Sequence, residues 1–185
     1  MTFEYKATIF VLASIGIIWV SRSSLRNFHS HGFYRFFAWE AILVLFLINV
    51  NYWFLVPFSL RQIFSWIFLL ISLFLIIRGV QLFRGKGKIE NVRNDPSLVG
   101  IEKTTELVTT GIYHYIRHPF YGSLLLLGWG IFLKHVSWVG ICLALITTIL
   151  LTITAKKEEV ENIHFFGEEY QLYMKHTKMF VPYIF

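Results

Sequence analysis

The chain has 185 residues, of which 56% are apolar, 18% aromatic and only 15% charged. Soluble domains carry about 25% charged residues, so too little polar surface is present to coat the apolar mass, which excludes a water-soluble globular enzyme, a disordered chain and a secreted disulfide scaffold. The formal charge of +6 falls in short stretches between apolar runs, not along one continuous face, which argues against a nucleic-acid partner. A single cysteine, Cys142, excludes internal disulfides and cysteine-based zinc or iron–sulfur sites.

A hydrocarbon core about 30 Å thick needs roughly 20 apolar residues per helix. Five runs approach that length: Phe3 to Val20, Phe36 to Phe58, Ser59 to Ile77, Phe120 to Leu133 and Val136 to Ala155. The expected fold is an all-α integral membrane protein of about five transmembrane helices, a single membrane-embedded domain over 1–185. Within it, 1–77 holds three spans, 78–119 a cytoplasmic loop, 120–155 a helical hairpin and 156–185 a cytoplasmic C-terminal helix. The first run is expected to persist as a span, because Glu4 and Lys6 stand at its start, ahead of the uninterrupted apolar stretch, and no small-x-small cleavage site follows. Pro57 and Lys134-His135 mark tight turns. The fourth run is short, so it is expected to begin before Pro119 or to stop short of a full crossing.

With five spans, only Lys6, Arg61 and Lys134 lie on one side, and the other 14 of the 17 Lys and Arg residues lie on the opposite one. Cytoplasmic segments accumulate positive charge, so the C-terminus is expected in the cytoplasm, on the same face as the two longest polar segments. Glu40, Asn49 and Asn51 fall in or near the second run; Glu40, one turn from its start, is expected to reach the interface, and the asparagines to bond between helices.

Two stretches exceed generic membrane sequence. The first runs from Glu106 to Gly122, with a glycine turn at Gly111, tyrosines at 113, 115 and 121, and Arg117-His118 before Pro119. Proline suits a first helical turn, and the free N–H groups of that turn favour an anionic group. The second, Lys156 to Tyr170, reads as an amphipathic helix, with Glu158, Glu161 and Asn162 on one face and Ile163, Phe166, Tyr170 and Tyr173 near another. Glu158 and Glu159 leave the membrane boundary within one turn, where a carboxylate needs a cationic partner. His114 and His118 are four residues apart, but Pro119 argues against a continuous helix there, and no metal site is expected. Gly85-Lys86-Gly87 reads as a loop and Gly128-Trp129-Gly130 as a close helix contact.

Together, Leu107-Val108, Gly111, Tyr113, Arg117-His118-Pro119, Tyr121-Gly122, Glu158-Glu159 and Ile163 to Tyr170 resemble the isoprenylcysteine carboxyl methyltransferase family. That family lies within the integral membrane methyltransferases that include phospholipid methyltransferases. The resemblance covers roughly residues 105 to 185. It implies S-adenosylmethionine bound in a cytoplasmic pocket walled by the two stretches, with backbone contacts from Leu107 and Val108 and Tyr113 lining the pocket. His118, Pro119, Phe120 and Tyr121 would hold the cofactor at the helix start, and Glu158, beside Glu159, would meet its ammonium end. Thr105-Glu106 stands where eukaryotic members have His-Thr, and Thr154 stands where they carry a substrate-recognising arginine. Lys156 or Lys157 is the available substitute.

The reaction expected is methyl transfer to a lipophilic acceptor entering from the bilayer, most simply the carboxylate of a prenylated cysteine, with Arg117 and Glu158 as catalytic candidates and Arg117 steering the acceptor. Alternatives are a phospholipid amine N-methyltransferase, an NADPH-dependent membrane reductase and a non-catalytic membrane scaffold. The reductase suffers from the lack of clustered arginines, and the scaffold leaves the paired polar stretches without a cause.

Overall fold

The structure is a computed structural model describing residues 1–86 and 106–182, with side chains up to residue 82 in the first segment. Among the described residues six α-helices follow in order: α1 (Phe3–Ser21), α2 (His31–Asn49), α3 (Leu60–Lys86), α4 (Pro119–Phe132), α5 (Trp138–Phe166) and α6 (Glu168–His176). Among the described residues there is no strand, only one isolated parallel bridge between Ile116 and Lys178. The all-α membrane fold is as expected: α1, α2, α3 and α5 are each long and apolar enough to cross a membrane.

Boundaries differ where polar residues prove to be buried. α2 begins at His31, not Phe36, because His31 and Arg35 face the protein interior. It ends at Asn49, and residues 50–59 fold across the end of α4 instead of extending the span. α3 continues past Ile77 to Lys86. The end of that helix overlaps Gly85-Lys86, read as loop from the sequence; Gly87 and Thr105 lie outside the described residues.

α4 takes the shorter of the two readings. It starts at Pro119 and has 14 residues, about 21 Å at 1.5 Å per residue, less than the hydrocarbon thickness. Its far end is roofed inside the protein. Lys134, fully buried, donates to Gln62 Oε1 at 3.0 Å and rests on the Trp66 ring at 3.6 Å. The Gln62 amide in turn donates to Tyr52 O and Leu55 O at 3.1 Å and to Lys134 O at 3.4 Å. A lysine counted among the charges of the turn is thus satisfied by one amide and aromatic faces.

Two helix pairs are the most extensive, α2 on α5 and α3 on α4. α2 presents His31, Arg35, Ala38, Ile42, Leu45 and Asn49 as one buried stripe at three- and four-residue intervals. α5 answers with the small residues Gly140, Ala144, Thr147, Thr154 and Ala155, plus Leu151. α3 and α4 approach closely enough for Ser65 Oγ to donate to Gly130 O at 2.6 Å and Ser72 Oγ to Ser123 O at 2.7 Å, as is common where helices pack without a hydrophobic drive. Ser14 Oγ donates to Glu40 Oε2 at 2.8 Å, Asn49 Nδ2 to Ile131 O at 3.2 Å, and Asn51 pairs with Met1. Both asparagines therefore bond between segments as expected, and so does Glu40, for which only a reach to the interface was expected.

A methyl group at Gly130 would lie 3.0 Å from the Leu69 side chain and 3.3 Å from its backbone nitrogen, which cannot swing away. At Gly128 the nearest neighbour is Thr147 Cγ2 at 3.6 Å, an ordinary contact. Gly130→Ala is expected to destabilise by about 1–3 kcal/mol through overpacking, and Gly128→Ala to be tolerated. Thermal midpoints of the two variants in the same detergent test the contrast.

Candidate active site

Three segments meet at one end of the bundle. The stretch ahead of α4 is tied to the tail beyond α6 by backbone pairing: Arg117 N donates to Lys178 O at 2.8 Å, His118 N to Met179 O at 3.1 Å and Lys178 N to Tyr115 O at 3.0 Å. α5 leaves the membrane as an unbroken helix and carries Glu158, Glu159 and Glu161 to the same place. α2 supplies the third wall from its first two turns.

The tail departs from the single amphipathic helix expected from Lys156 through Tyr173. It breaks at Gly167, whose φ of 62° and ψ of −133° are open to glycine at little cost. This turn sends α6 back toward residues 107–118. The Tyr173 hydroxyl donates to Tyr113 O at 2.6 Å, and Thr177 Oγ1 to Tyr173 O at 2.7 Å.

His118 is the N-cap residue of α4, but its side chain makes no capping bond. The ring instead lies buried between the two glutamates, Nδ1 3.9 Å from Glu158 Oε2 and Nε2 3.4 Å from Glu159 Oε1, and stacks on Tyr121 with centroids 5.5 Å apart. The Tyr121 hydroxyl donates to Glu158 Oε2. Arg117 Nε donates to Glu159 Oε1 at 2.7 Å, and its Nη1 donates to Thr177 O and, at 3.3 Å, to Met174 O. The first backbone N–H and the ring of His31 both meet the Glu161 carboxylate. Lys157 Nζ donates to His29 O at 3.2 Å. Each carboxylate thus has a cationic or hydroxyl partner, the arrangement that makes ionised groups tolerable at a membrane boundary.

The site residues expected from sequence sort into two groups. Arg117, His118, Tyr121, Glu158 and Glu159 form one contact cluster. Pro119 is buried at the first position of α4, and the Phe120 ring lies against Gly79 of α3. Leu107, Val108 and Tyr113 stand on the α6 side, where Leu107, Thr109, His114, Glu169, Leu172 and Tyr173 help to line an open cleft of about 350 Å³. Val108 and Tyr113 are buried. Arg117, expected as a bidentate donor to the acceptor, directs its Nε to Glu159 and its Nη1 to two backbone carbonyls. Glu161 was placed only on the polar face of the tail helix, and His31 and Arg35 were not singled out by the sequence reading. Their signal was present in the three- and four-residue spacing that extends the apolar stripe of α2 backward to His31. Among the described residues no group of three or more His, Cys, Asp or Glu side chains is placed to hold a metal ion.

A family profile described as phospholipid methyltransferase matches residues 60–169, more than half of the chain. This chain belongs to that family. Among individual relatives, it is 31% identical over 120 residues to methanethiol S-methyltransferase 1 of Bradyrhizobium diazoefficiens, covering 64% of this chain and 39% of that protein. It is 36% identical over 86 residues to the human protein-S-isoprenylcysteine O-methyltransferase, covering 44% of this chain and 29% of that one. The methanethiol S-methyltransferase of Crocosphaera subtropica is 30% identical over 76 residues, again with 29% of its length covered. The chain therefore matches well under half the length of each of these relatives. No solved structure matches it. The resemblance drawn from residues 105 to 185 is met by the family profile and these membrane-methyltransferase relatives.

Two expectations follow from the geometry of this cluster. Arg117→Gln leaves Glu159 buried without its guanidinium, and breaking a buried pair costs about 3–5 kcal/mol. A large fall in thermal midpoint is expected, with Arg117→Lys only partly restoring it because an ammonium cannot reach both the carboxylate and the carbonyls. Burial pushes the Tyr170 and Tyr173 phenols well above their usual value near 10. The stability they contribute is therefore full below pH about 10 and is lost as pH rises through their folded values, since the unfolded chain releases those protons first. Melting curves from pH 8 to 11 are expected to fall steeply above 10, and less steeply in Tyr173→Phe.

Proposed function

We propose that this chain transfers a methyl group from S-adenosylmethionine to the carboxylate of a lipophilic, prenyl-type acceptor that enters from the bilayer. The observation that carries this reading is the cluster in which Glu158, bonded by Tyr121 and flanked by His118, stands beside the start of α4. The donor set fits the cofactor. Glu158 is a carboxylate for an ammonium, the first turn of α4 offers backbone N–H groups for a carboxylate, and Tyr113 and Tyr121 provide aromatic faces. When bound, the cofactor supplies an electrophilic methyl group on a positively charged sulfur.

The chain's own residues then bind and align. Glu158 receives the ammonium end, with Glu159 held beside it by Arg117. Pro119 has no N–H, so the first backbone donors of α4 are those of Phe120 and Tyr121. Leu107, Val108 and Tyr113, positioned by Tyr173 of α6, close the pocket on the tail side. Arg117 acts here as a positioning residue. A carboxylate acceptor, with a reference pKa near 3.5, is ionised at neutral pH and needs no general base. Alignment in a water-poor pocket supplies the acceleration, worth about 7–11 kcal/mol for a well-oriented pair. The distribution of Lys and Arg supports placing this face, and the C-terminus, in the cytoplasm.

A thiol acceptor is the second reading, favoured by the relatives named as methanethiol S-methyltransferases. It requires proton removal, for which His118 lies beside Glu159.

Membranes carrying the protein are to be incubated with methyl-labelled S-adenosylmethionine and N-acetyl-S-farnesylcysteine, and the product treated with alkali. Release of labelled methanol is expected, because an ester is formed. Alkali-stable label on lipid or on added thiol moves the acceptor to an amine or to sulfur, and the absence of both labelling and cofactor binding rejects the reading. Glu158→Gln is expected to weaken cofactor binding about 10-fold or more, the loss of a charge-assisted hydrogen bond.

A further inference from the structure

Between Lys6 and Glu40 the sequence holds no acidic residue but three arginines, Arg22, Arg26 and Arg35. The fold divides them. Arg35 turns inward with α2, whereas Arg22 and Arg26 stay exposed on the connection from α1 to α2. That connection is compact: it carries one short turn of 3₁₀ helix, Ser24–Arg26, and Ser30 Oγ folds back on Asn27 O at 2.8 Å and Ser24 O at 3.3 Å. Ser21, Ser24 and Ser30 are buried on its inner side, while Arg22, Arg26, Phe28 and His29 stand outward.

α5 adds a third cation. Lys157 Nζ donates to His29 O at 3.2 Å and lies 5.1 Å from the centroid of the Tyr34 ring. Glu161, one turn beyond it, is taken by His31. Among the described residues, Arg22, Arg26 and Lys157 have no carboxylate within ion-pair distance.

Aromatic rings continue the same surface toward the bilayer. Phe28, 66% exposed, meets Phe33 edge-on at 5.0 Å, and Phe33 meets Phe37 the same way at 5.0 Å. Phe33 and Phe37 are one helical turn apart, so the three rings descend from the connection along α2. Trp19, 65% exposed in the last turn of α1, lies 5.3 Å from the Arg22 guanidinium. A loop meant for bulk water gains nothing by exposing Phe28. Cations above a descending row of rings reproduce instead the vertical order of a phospholipid, phosphate above and acyl chain below.

We infer that the α1–α2 connection, together with Lys157, is a binding surface for an anionic phospholipid of the phosphatidylglycerol type, in the leaflet at the end of the bundle that carries the candidate site. Its phosphodiester accepts from Arg22 and Arg26, whose guanidinium groups present planar pairs of donors. One acyl chain lies along Phe28, Phe33 and Phe37. A zwitterionic lipid brings its own ammonium to the same cations and is disfavoured, and a soluble phosphate leaves the row of rings uncovered. The surface is separate from the methyl-transfer cluster and stands whichever acceptor that cluster takes.

The test supplies the full chain in dodecyl maltoside micelles with equal amounts of phosphatidylglycerol and phosphatidylcholine bearing identical acyl chains, and reads the first lipid retained by native mass spectrometry. The wild type is expected to retain phosphatidylglycerol about fivefold or more over phosphatidylcholine, the effect of one Lys or Arg at an anionic surface. Arg22→Gln with Arg26→Gln is expected to bring the ratio to about twofold or less, and Arg22→Lys with Arg26→Lys to keep it above that. Lys175→Gln with Lys178→Gln removes the same charge from the exposed tail and is expected to leave the wild-type ratio. Phe28→Ala is expected to weaken both lipids together.

A ratio near one in the wild type, or a wild-type ratio in the Gln pair, overturns the inference. Equal loss in the Lys175 and Lys178 pair also overturns it, since the preference then follows net charge alone. So does displacement of phosphatidylglycerol by free glycerol phosphate, which makes the cations a site for soluble phosphate. Should the Gln pair fail to fold, the Lys pair decides, and loss of the ratio there overturns the inference.

Discussion

Three carboxylates placed at the edge of a bilayer are the constraint around which this molecule is arranged. Glu158, Glu159 and Glu161 ride out of the membrane on one helix, and an unpaired carboxylate in a poorly hydrated position is expensive enough to be protonated or expelled. Each is met by groups from elsewhere in the chain. Tyr121 and His118 from the start of α4 meet Glu158, Arg117 from the preceding stretch meets Glu159, and His31 from α2 meets Glu161. Satisfying the charges therefore folds the chain: α2, the stretch before α4, α5 and the tail are drawn to one point.

The opposite end of the bundle solves a related problem by other means. α4 is too short to cross, so its terminal turn is covered by residues 50–59. Lys134 is kept in place there by an amide oxygen and an indole face. Carboxylates hold one end together and a carboxylate-free aromatic cage the other.

Much of this was legible in the sequence. Runs of apolar residues near the bilayer length gave the helices, Pro57 and Lys134-His135 gave the turns, and Arg117 to Tyr121 and Glu158-Glu159 gave the core of the candidate site. What escaped depends on contacts distant in sequence. His31 and Arg35 were passed over because nothing local reveals that α5 will bring glutamates to the same end. Gly167 sits inside an otherwise sound amphipathic pattern, and only the return of α6 onto Tyr113 shows why the helix must stop. Arg117 looked like a free fork because its acceptors, Met174 O and Thr177 O, are backbone groups some 60 residues away and leave no trace in side-chain chemistry.

α5 has 29 residues without a break, about 44 Å at 1.5 Å per residue. The stretch gripped by lipid and the stretch bearing Glu158 are consequently one stiff rod. Any change in bilayer thickness that alters the tilt of its lower part swings its upper part like a lever. Sterol content and acyl-chain length thereby acquire a mechanical route to the spacing between Glu158 and Tyr121.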